Sequence, residues 1–379
     1  MPVSSEQESL LRLLHSGAPA SLLRRLLDSH GSADAACAAG QRDWASHGLS
    51  AEACRRVQQP EAAALAQGLC WLEDANHHLI GWREDSYPPL LRRIAAPPVM
   101  LFIAGDPALL WRPSVAVVGS RSATPGGCAN AAQFSEALAQ AGFCIASGLA
   151  AGVDAAAHAA TLDAGGATVA VIGAGPDVVY PARNRLLHAQ IAQHGAVVSE
   201  HPPGTRPLKQ FFPSRNRILA GLSLATLVVE AAQQSGALIT ARLAADAGRE
   251  VFALPGSIHN PMARGCHRLL REGACLVEQP QEVVEALAPQ VQALASALRG
   301  TLAALEGAPC GKATPPQAWL QDDPAHAVLW QALGHDPSSM DELVARTGLT
   351  AAEVSSMLLT LELEGKVAPA HGRYSRLGG

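Results

Sequence analysis

Between residues 114 and 278, short apolar runs return seven times, separated by segments of helix length. The runs are "SVAVVG" (114–119), "FCIAS" (143–147), "TVAVIG" (168–173), "AVVSE" (196–200), "ATLVVEA" (225–231), "EVFALPG" (250–256) and "ACLVE" (274–278). None alternates polar with apolar residues, the pattern of a strand with one wet face. Continuous runs are expected of strands covered on both faces, as in a parallel sheet. Helix-length segments lie at 127–141, 152–164, 183–194, 214–221, 236–248 and 265–272. This alternation predicts an α/β fold with a Rossmann-like, doubly wound, mostly parallel sheet.

The flanks differ in character. Residues 1–78 show apolar residues at three- and four-residue spacing, with Gly17, Gly31 and Gly48 as punctuation, and predict a small helical domain. Residues 79–288 hold the sheet. Residues 289–322, rich in Ala, Gly, Pro and Gln, read as a linker around "EGAPCGKATPPQ". In residues 323–379, "SSMDELVARTGLTAAEVSSMLLTLELEGKV" has a helix–turn–helix rhythm, with Ser338 or Ser339 and Thr350 as caps. A hairpin in "VAPAHGRYSRL" would complete a winged helix.

Composition excludes several classes. A formal net charge of -5 means that any nucleic-acid site is a local patch. The eight cysteines contain no CxxC, which argues against structural zinc and fits reduced thiols in a cytoplasmic protein. No secretory or transit segment is expected at "MPVSSEQESLLRLLHSG", and no run is long enough for a membrane helix.

Ligands of doubly wound sheets bind at the carboxyl ends of the strands. The first such end, "GSRSATPGG", carries Gly119, Ser120 and Arg121. It departs from G-x-G-x-x-G because Arg121 occupies the middle glycine, so a dinucleotide is not expected. A guanidinium there suits a phosphate clamp, or a surface ion pair. Asp154 and His158 stand four apart on one helix face, a spacing that predicts a local hydrogen bond. Glu200 and Glu230 end strands and are candidate acids or bases, yet no nucleophile, base and orienting group assemble. No catalytic residue, metal or cofactor is expected.

The chain has only three lysines and six phenylalanines, yet "PLKQFFPSRNRILAGLS" (207–223) holds Lys209, Phe211, Phe212, Arg215, Asn216 and Arg217 without one acidic residue. Cations with aromatic platforms hold single-stranded nucleic acid, each stacked base contributing ~1–3 kcal/mol. The same residues also make an ordinary helix start, and composition leaves both readings open.

The succession "VAVVGSRSATPGG", "ASGLAAGVDAAAHAATL", "VAVIGAGPDVVYPARNRLL", "VVSEHPPGTRPLKQFFPSRNRILAGLS", "LVVEAAQQSGALITARLAADAGREVFALPGSI" and "GCHRLLREGA" resembles the DNA-processing protein A (DprA/Smf) family in order and spacing over about 80–285. The N-terminal helices are similar to its SAM-like or helix-hairpin-helix domain, and the C-terminal unit to its winged helix. The resemblance implies a non-enzymatic protein. It would bind single-stranded DNA taken up in natural transformation, protect it, and load the recombinase RecA onto it as a homodimer. It implies DNA contacts at Gly119, Ser120, Arg121, Gly148, Lys209, Phe212, Arg215, Asn216 and Arg217, and a dimer edge at His267, Leu270 and Leu276. Two departures stand out: Ala151 replaces a frequent basic residue, and His267 stands where "GCN" is common.

The last unit carries eight acidic and four basic residues from 322 to 379, and "AAEVSSMLLTLELEG" has no Lys or Arg. Duplex binding needs phosphate neutralisation, so a protein contact or weak DNA role is expected there. The competing reading of the whole is a nucleotide-processing enzyme, such as a nucleoside-monophosphate phosphoribohydrolase. Against it, "LPGSIHNPMARG" stands where those enzymes carry "PGGxGT".

Overall fold

The computed structural model describes residues 3–306 and, beyond them, 329, 332–333, 338–350, 354–355, 357–358, 367–370 and 373–376. The chain divides into two compact units, residues 1–299 and 300–379.

The first unit opens with six helices: α1 (Ser5–His15), α2 (Ala20–His30), α3 (Ala33–Ala38), α4 (Gln41–Ser46), α5 (Ala51–Gln58) and α6 (Ala62–Trp71). Local chemistry sets their ends. Ser4 and Gln7 form a reciprocal capping box on α1, and Ser32 and Ser50 cap α3 and α5. Gly31 closes α2 at φ +79°, where a side chain would be strained.

These helices cover one end of a nine-stranded sheet. Its strands are β1 (His77–Gly81), β2 (Met100–Gly105), β3 (Ser114–Val118), β4 (Cys144–Ser147), β5 (Thr168–Val171), β6 (Ala196–Ser199), β7 (Ala225–Val228), β8 (Glu250–Ala253) and β9 (Cys275–Leu276). The order is β1-β2-β6-β5-β4-β3-β7-β8-β9. All seven expected strands are present, from β3 to β9, and pair in parallel. β1 and β2 were not foreseen; they join antiparallel at the β6 edge.

β2 joins the helices to the sheet. Met100 and Phe102 pack into one apolar cluster with Leu10, Leu26, Leu27 and Trp44. Trp71, at the end of α6, stacks on His77 and meets Phe102 edge-on. The helical segment is thus a layer of the same compact unit.

The parallel strands are buried on both faces. Ala116, Val118, Ala146 and Val171 belong to one cluster, and Val115, Val117, Ile145 and Leu227 to another. Helices α8 (Pro125–Gln140), α9 (Val153–Asp163), α10 (Arg185–His194), α11 (Phe211–Leu222), α12 (Gly236–Asp246) and α13 (Arg264–Arg271) follow the strands; α7 (Pro89–Arg92) precedes β2. From β3 the chain steps outward to β4, β5 and β6, then returns to β7 on the other side of β3. The loops after β3 and β7 therefore diverge and leave a crevice between them.

The expected linker starts too early. Helix α14 runs Pro280–Glu306, through residues 289–306. Alanine and leucine favour helix there and outweigh Pro289, which removes one backbone donor. Residues 307–322 lie outside the described residues.

In the second unit, Ser339 caps the helix Met340–Thr347 in a capping box with Glu342. The strands Val367–Ala370 and Arg373–Arg376 form the expected hairpin, and Ser338–Ser339 pairs with its second strand. Most of the expected recognition helix lies outside the described residues. Among the described residues, no helix is long and apolar enough to cross a membrane.

Phe102 is fully buried where helices and sheet meet. Phe102→Ala is expected to cost about 3–5 kcal/mol in urea unfolding. The helical layer and the sheet should still lose structure in one transition, read by circular dichroism and tryptophan fluorescence together.

Candidate nucleic-acid interface

A cavity of about 650 Å³ occupies the crevice between the ends of β3 and β7. Gly119, Ser120, Arg121, Lys209, Phe212, Arg215 and Asn216 all line it. Seven of the nine expected DNA residues therefore converge, although nearly a hundred positions separate Arg121 from Arg215.

The turn after β3 is held rigidly. Ser120 N donates to Glu230 O at 2.7 Å, and Ser120 Oγ accepts from Ser122 N at 3.1 Å. A Cβ on Gly152 would lie 2.3 Å from Ser120 O, and Gly152 has φ +78°, so this close approach requires glycine. The Arg121 side chain is exposed; its Cζ lies 5.4 Å from the Phe212 ring centroid. Phe212 also meets Tyr180 at 5.4 Å. Lys209 is exposed on the same cavity wall. Arg121, Phe212, Tyr180 and Lys209 thus present two cations and two rings together.

Arg215 belongs to the floor. It is 5% exposed and donates to Gly148 O at 2.8 Å and to Val171 O. Burial lowers its pKa to about 10, against the attraction of Asp154, so it stays protonated at neutral pH. Gly148 does not line the cavity. A Cβ on it would lie 2.5 Å from the Arg215 guanidinium, so glycine is what makes room for that group. Asn216 Nδ2 donates to Gly236 O at 3.4 Å and links α11 to α12.

Arg217 departs from expectation. One residue pair along α11 from Arg215, it points elsewhere, donating to Ala96 O at 2.6 Å and pairing with Glu200. It does not line the cavity with Arg121. Phe211 also turns away and packs its ring on His201, with centroids 4.0 Å apart.

The candidate acids are already engaged. Glu230 accepts from Thr124 N at 2.9 Å, Thr124 Oγ1 at 2.7 Å and Asn260 Nδ2 at 3.1 Å. Thr124 in turn caps α8, so Glu230 ties that helix to β7. Burial pushes the Glu200 carboxyl up, opposed by Arg217. Asp154 and His158 do not make the expected local bond. Asp154 accepts from Gly148 N and Ala150 N at 3.1 and 3.2 Å, and its carboxyl is pushed up by burial. His158 Nδ1 lies 2.7 Å from Thr168 Oγ1 instead.

Three further residues of the wall, Tyr180, Gln234 and Ser235, were not singled out from sequence. Tyr180 had a signal: it is one of three tyrosines and lies in "GAGPDVVYPARN", the loop that follows β5. The expected dimer residues share the far edge of the sheet. Leu276 is 52% exposed on the outermost strand, Leu270 is half-buried against the core, and His267 Nε2 lies 3.0 Å from Gly256 O.

Residues 78–288 match the family described as DNA recombination-mediator protein A, and residues 313–373 match the DprA winged helix domain. The chain belongs to the DprA/Smf family. Protein Smf of Escherichia coli is 40% identical over 333 residues, 87% of this chain and 85% of that protein. DNA processing protein DprA of Streptococcus pneumoniae is 47% identical over 201 residues, 53% of this chain and 71% of that one. The crystal structure of S. pneumoniae DprA superposes with a TM-score of 0.67 at 38% identity, covering 75% of this chain and 98% of that chain. The structure of Helicobacter pylori DprA, described for its single-stranded DNA binding mode, gives 0.52 at 30% identity, covering 56% and 96%. The DprA/Smf proteins are DNA-processing recombination mediators, and the crevice lies within the residues that match the family.

Fully buried His158 supplies a pH test. Burial, reinforced by Arg215, lowers its pKa from 6.5 to about 3. The unfolded chain takes up this proton as pH falls below 6.5, while the fold resists it until about 3. Stability is thus complete above the unfolded value and is lost on acidification, at ~1.4 kcal/mol per pH unit. In His158→Gln, the plot of unfolding free energy against pH should be shallower than wild type by that slope between about pH 6 and 4. Equal slopes would show that the imidazole titrates within the fold.

Proposed function

We propose that the crevice holds single-stranded DNA, and that the chain protects incoming DNA in natural transformation and loads RecA onto it. The observation that carries this reading is Arg121 lying over Phe212, with Lys209 on the same wall and Tyr180 beside the ring. Rings stack on bases whatever their identity, while cations neutralise phosphates, which gives binding without sequence preference. The buried Arg215 charge adds to the attraction from below. The H. pylori relative described for single-stranded DNA binding supports the same reading.

The protein would act in the cytoplasm, without catalysis, as a homodimer joined at the β9 edge through His267, Leu270 and Leu276. RecA is the proposed protein partner. A nucleotide-processing enzyme would need a carboxylate free to act in the crevice, whereas Glu230 is committed to Thr124 and Asn260. Turnover of a nucleoside monophosphate by the purified chain would revive that reading.

Fluorescence anisotropy with a single-stranded oligonucleotide tests the site. Phe212→Ala should weaken binding roughly 5- to 150-fold, the equivalent of one lost stack. Arg121→Ala and Lys209→Ala should each weaken binding and reduce the salt slope by about 0.7. Arg217→Ala should leave that slope unchanged. If the Arg121 and Lys209 variants bind as tightly as wild type, the crevice is not the DNA site. Leu276→Arg should convert the dimer to monomer in sedimentation, with the crevice intact. RecA loading is read separately, as faster RecA filament assembly on coated single strands when the chain is added.

A further inference from the structure

Away from the sheet, the helical layer brings two imidazoles and a carboxylate together. His30 is the last residue of α2, Asp43 lies in the first turn of α4, and His47 caps the end of α4. His30 Nε2 is 2.8 Å from Asp43 Oδ2, and His47 Nδ1 is 3.3 Å from the same oxygen. One donor atom from each residue lies within 4.8 Å of the other two. The elements that carry them are well anchored. α2 buries Leu23, Leu26 and Leu27, while α4 buries Trp44, whose Nε1 donates to Ala36 O at 2.7 Å.

We propose that His30, Asp43 and His47 form a binding site for a divalent transition-metal ion of the zinc class. Two imidazoles and one carboxylate are donors that such ions accept, and a three-residue set leaves a fourth position for water. Around a tetrahedral ion with bonds of ~2.0–2.2 Å, neighbouring donor atoms lie about 3.3–3.5 Å apart. The His47–Asp43 pair already has that spacing at 3.3 Å. The His30–Asp43 pair, at 2.8 Å, is closed by a hydrogen bond and opens by a small side-chain rotation when metal replaces the shared proton.

Two further features favour the site. Ser29 Oγ lies 3.1 Å from His47 Nε2 and orients that ring, so that Nδ1 faces Asp43. Nδ1 is also 3.0 Å from Asp43 O, the bond that metal would exchange. The three side chains are 23%, 32% and 21% exposed, open enough for an ion to arrive from solvent. A bound ion would cross-link the end of α2 to α4, across the Gly31 turn and α3, and so stiffen the helical layer.

The test uses the full chain, stripped of metal with a chelator and then titrated with Zn2+ by calorimetry and with Co2+ by visible absorption. One equivalent should bind, with tetrahedral Co2+ bands and no thiolate charge-transfer band. Zn2+ should raise the Tm in a concentration-dependent way. His30→Gln, Asp43→Asn and His47→Gln should each lose the Co2+ bands and the Tm shift, while their metal-free circular dichroism matches wild type. The proposal is overturned if no metal binds, if the bands persist in His30→Gln and Asp43→Asn, or if a thiolate signature shows that cysteine is the ligand.

Discussion

A guanidinium shut away from water sets the shape of the crevice. A buried charge is strongly unfavourable unless it is bonded and balanced. Arg215 meets that condition through the carbonyls of Gly148 and Val171 and the attraction of Asp154. Those partners lie at the ends of β4 and β5 and at the start of α9, so the arginine fixes three connections relative to α11. Gly148 follows from this: any side chain there would collide with the guanidinium. Asp154 follows too, since its carboxylate gathers the amides of the same loop.

The acids and bases of this region divide sharply. Glu200, Glu230 and Asp154 are each held by protein donors, and each holds an element in place. Arg121 and Lys209 carry no such engagement with a carboxylate among the described residues. A chain of net charge -5 thereby makes a locally cationic cleft: it spends its nearby carboxylates on structure.

Much of this was legible in the sequence because parallel strands buried on both faces are continuous in their hydrophobicity. The seven runs from Ser114 to Leu276 therefore announced themselves, and the strand-end rule placed Arg121 and Phe212 in one neighbourhood. β1 was hidden because "HHLIG" is short and half polar, and β2 because "MLFIAG" offers no helix after it. Arg215 and Arg217 look equivalent in a string, yet two residues along a helix turn a side chain by about 200°. One therefore lies under the crevice and the other meets Glu200. Helix α14 runs into the expected linker because the glycines and prolines of "EGAPCGKATPPQ", on which that linker rests, begin only beyond its last residue, Glu306. Asp43 and His47 stand four apart in the sequence, but only the fold brings His30, from the end of α2, to the same carboxylate.

If the crevice holds single-stranded DNA as proposed, the contact between Arg121 and Phe212 makes base binding an exchange. The ring already carries a cation on or near its face, so an arriving base competes with that guanidinium. The net gain from one stack is a difference between two partners of similar strength, and the displaced cation recovers the rest only if a phosphate is within reach. A free base offers no such phosphate and a single nucleotide offers little else. A long strand supplies base and phosphate in fixed succession, residue after residue. Under the proposed single-stranded DNA reading, the crevice would therefore discriminate by polymer length, and favour a chain over its monomers without reading a single letter of it.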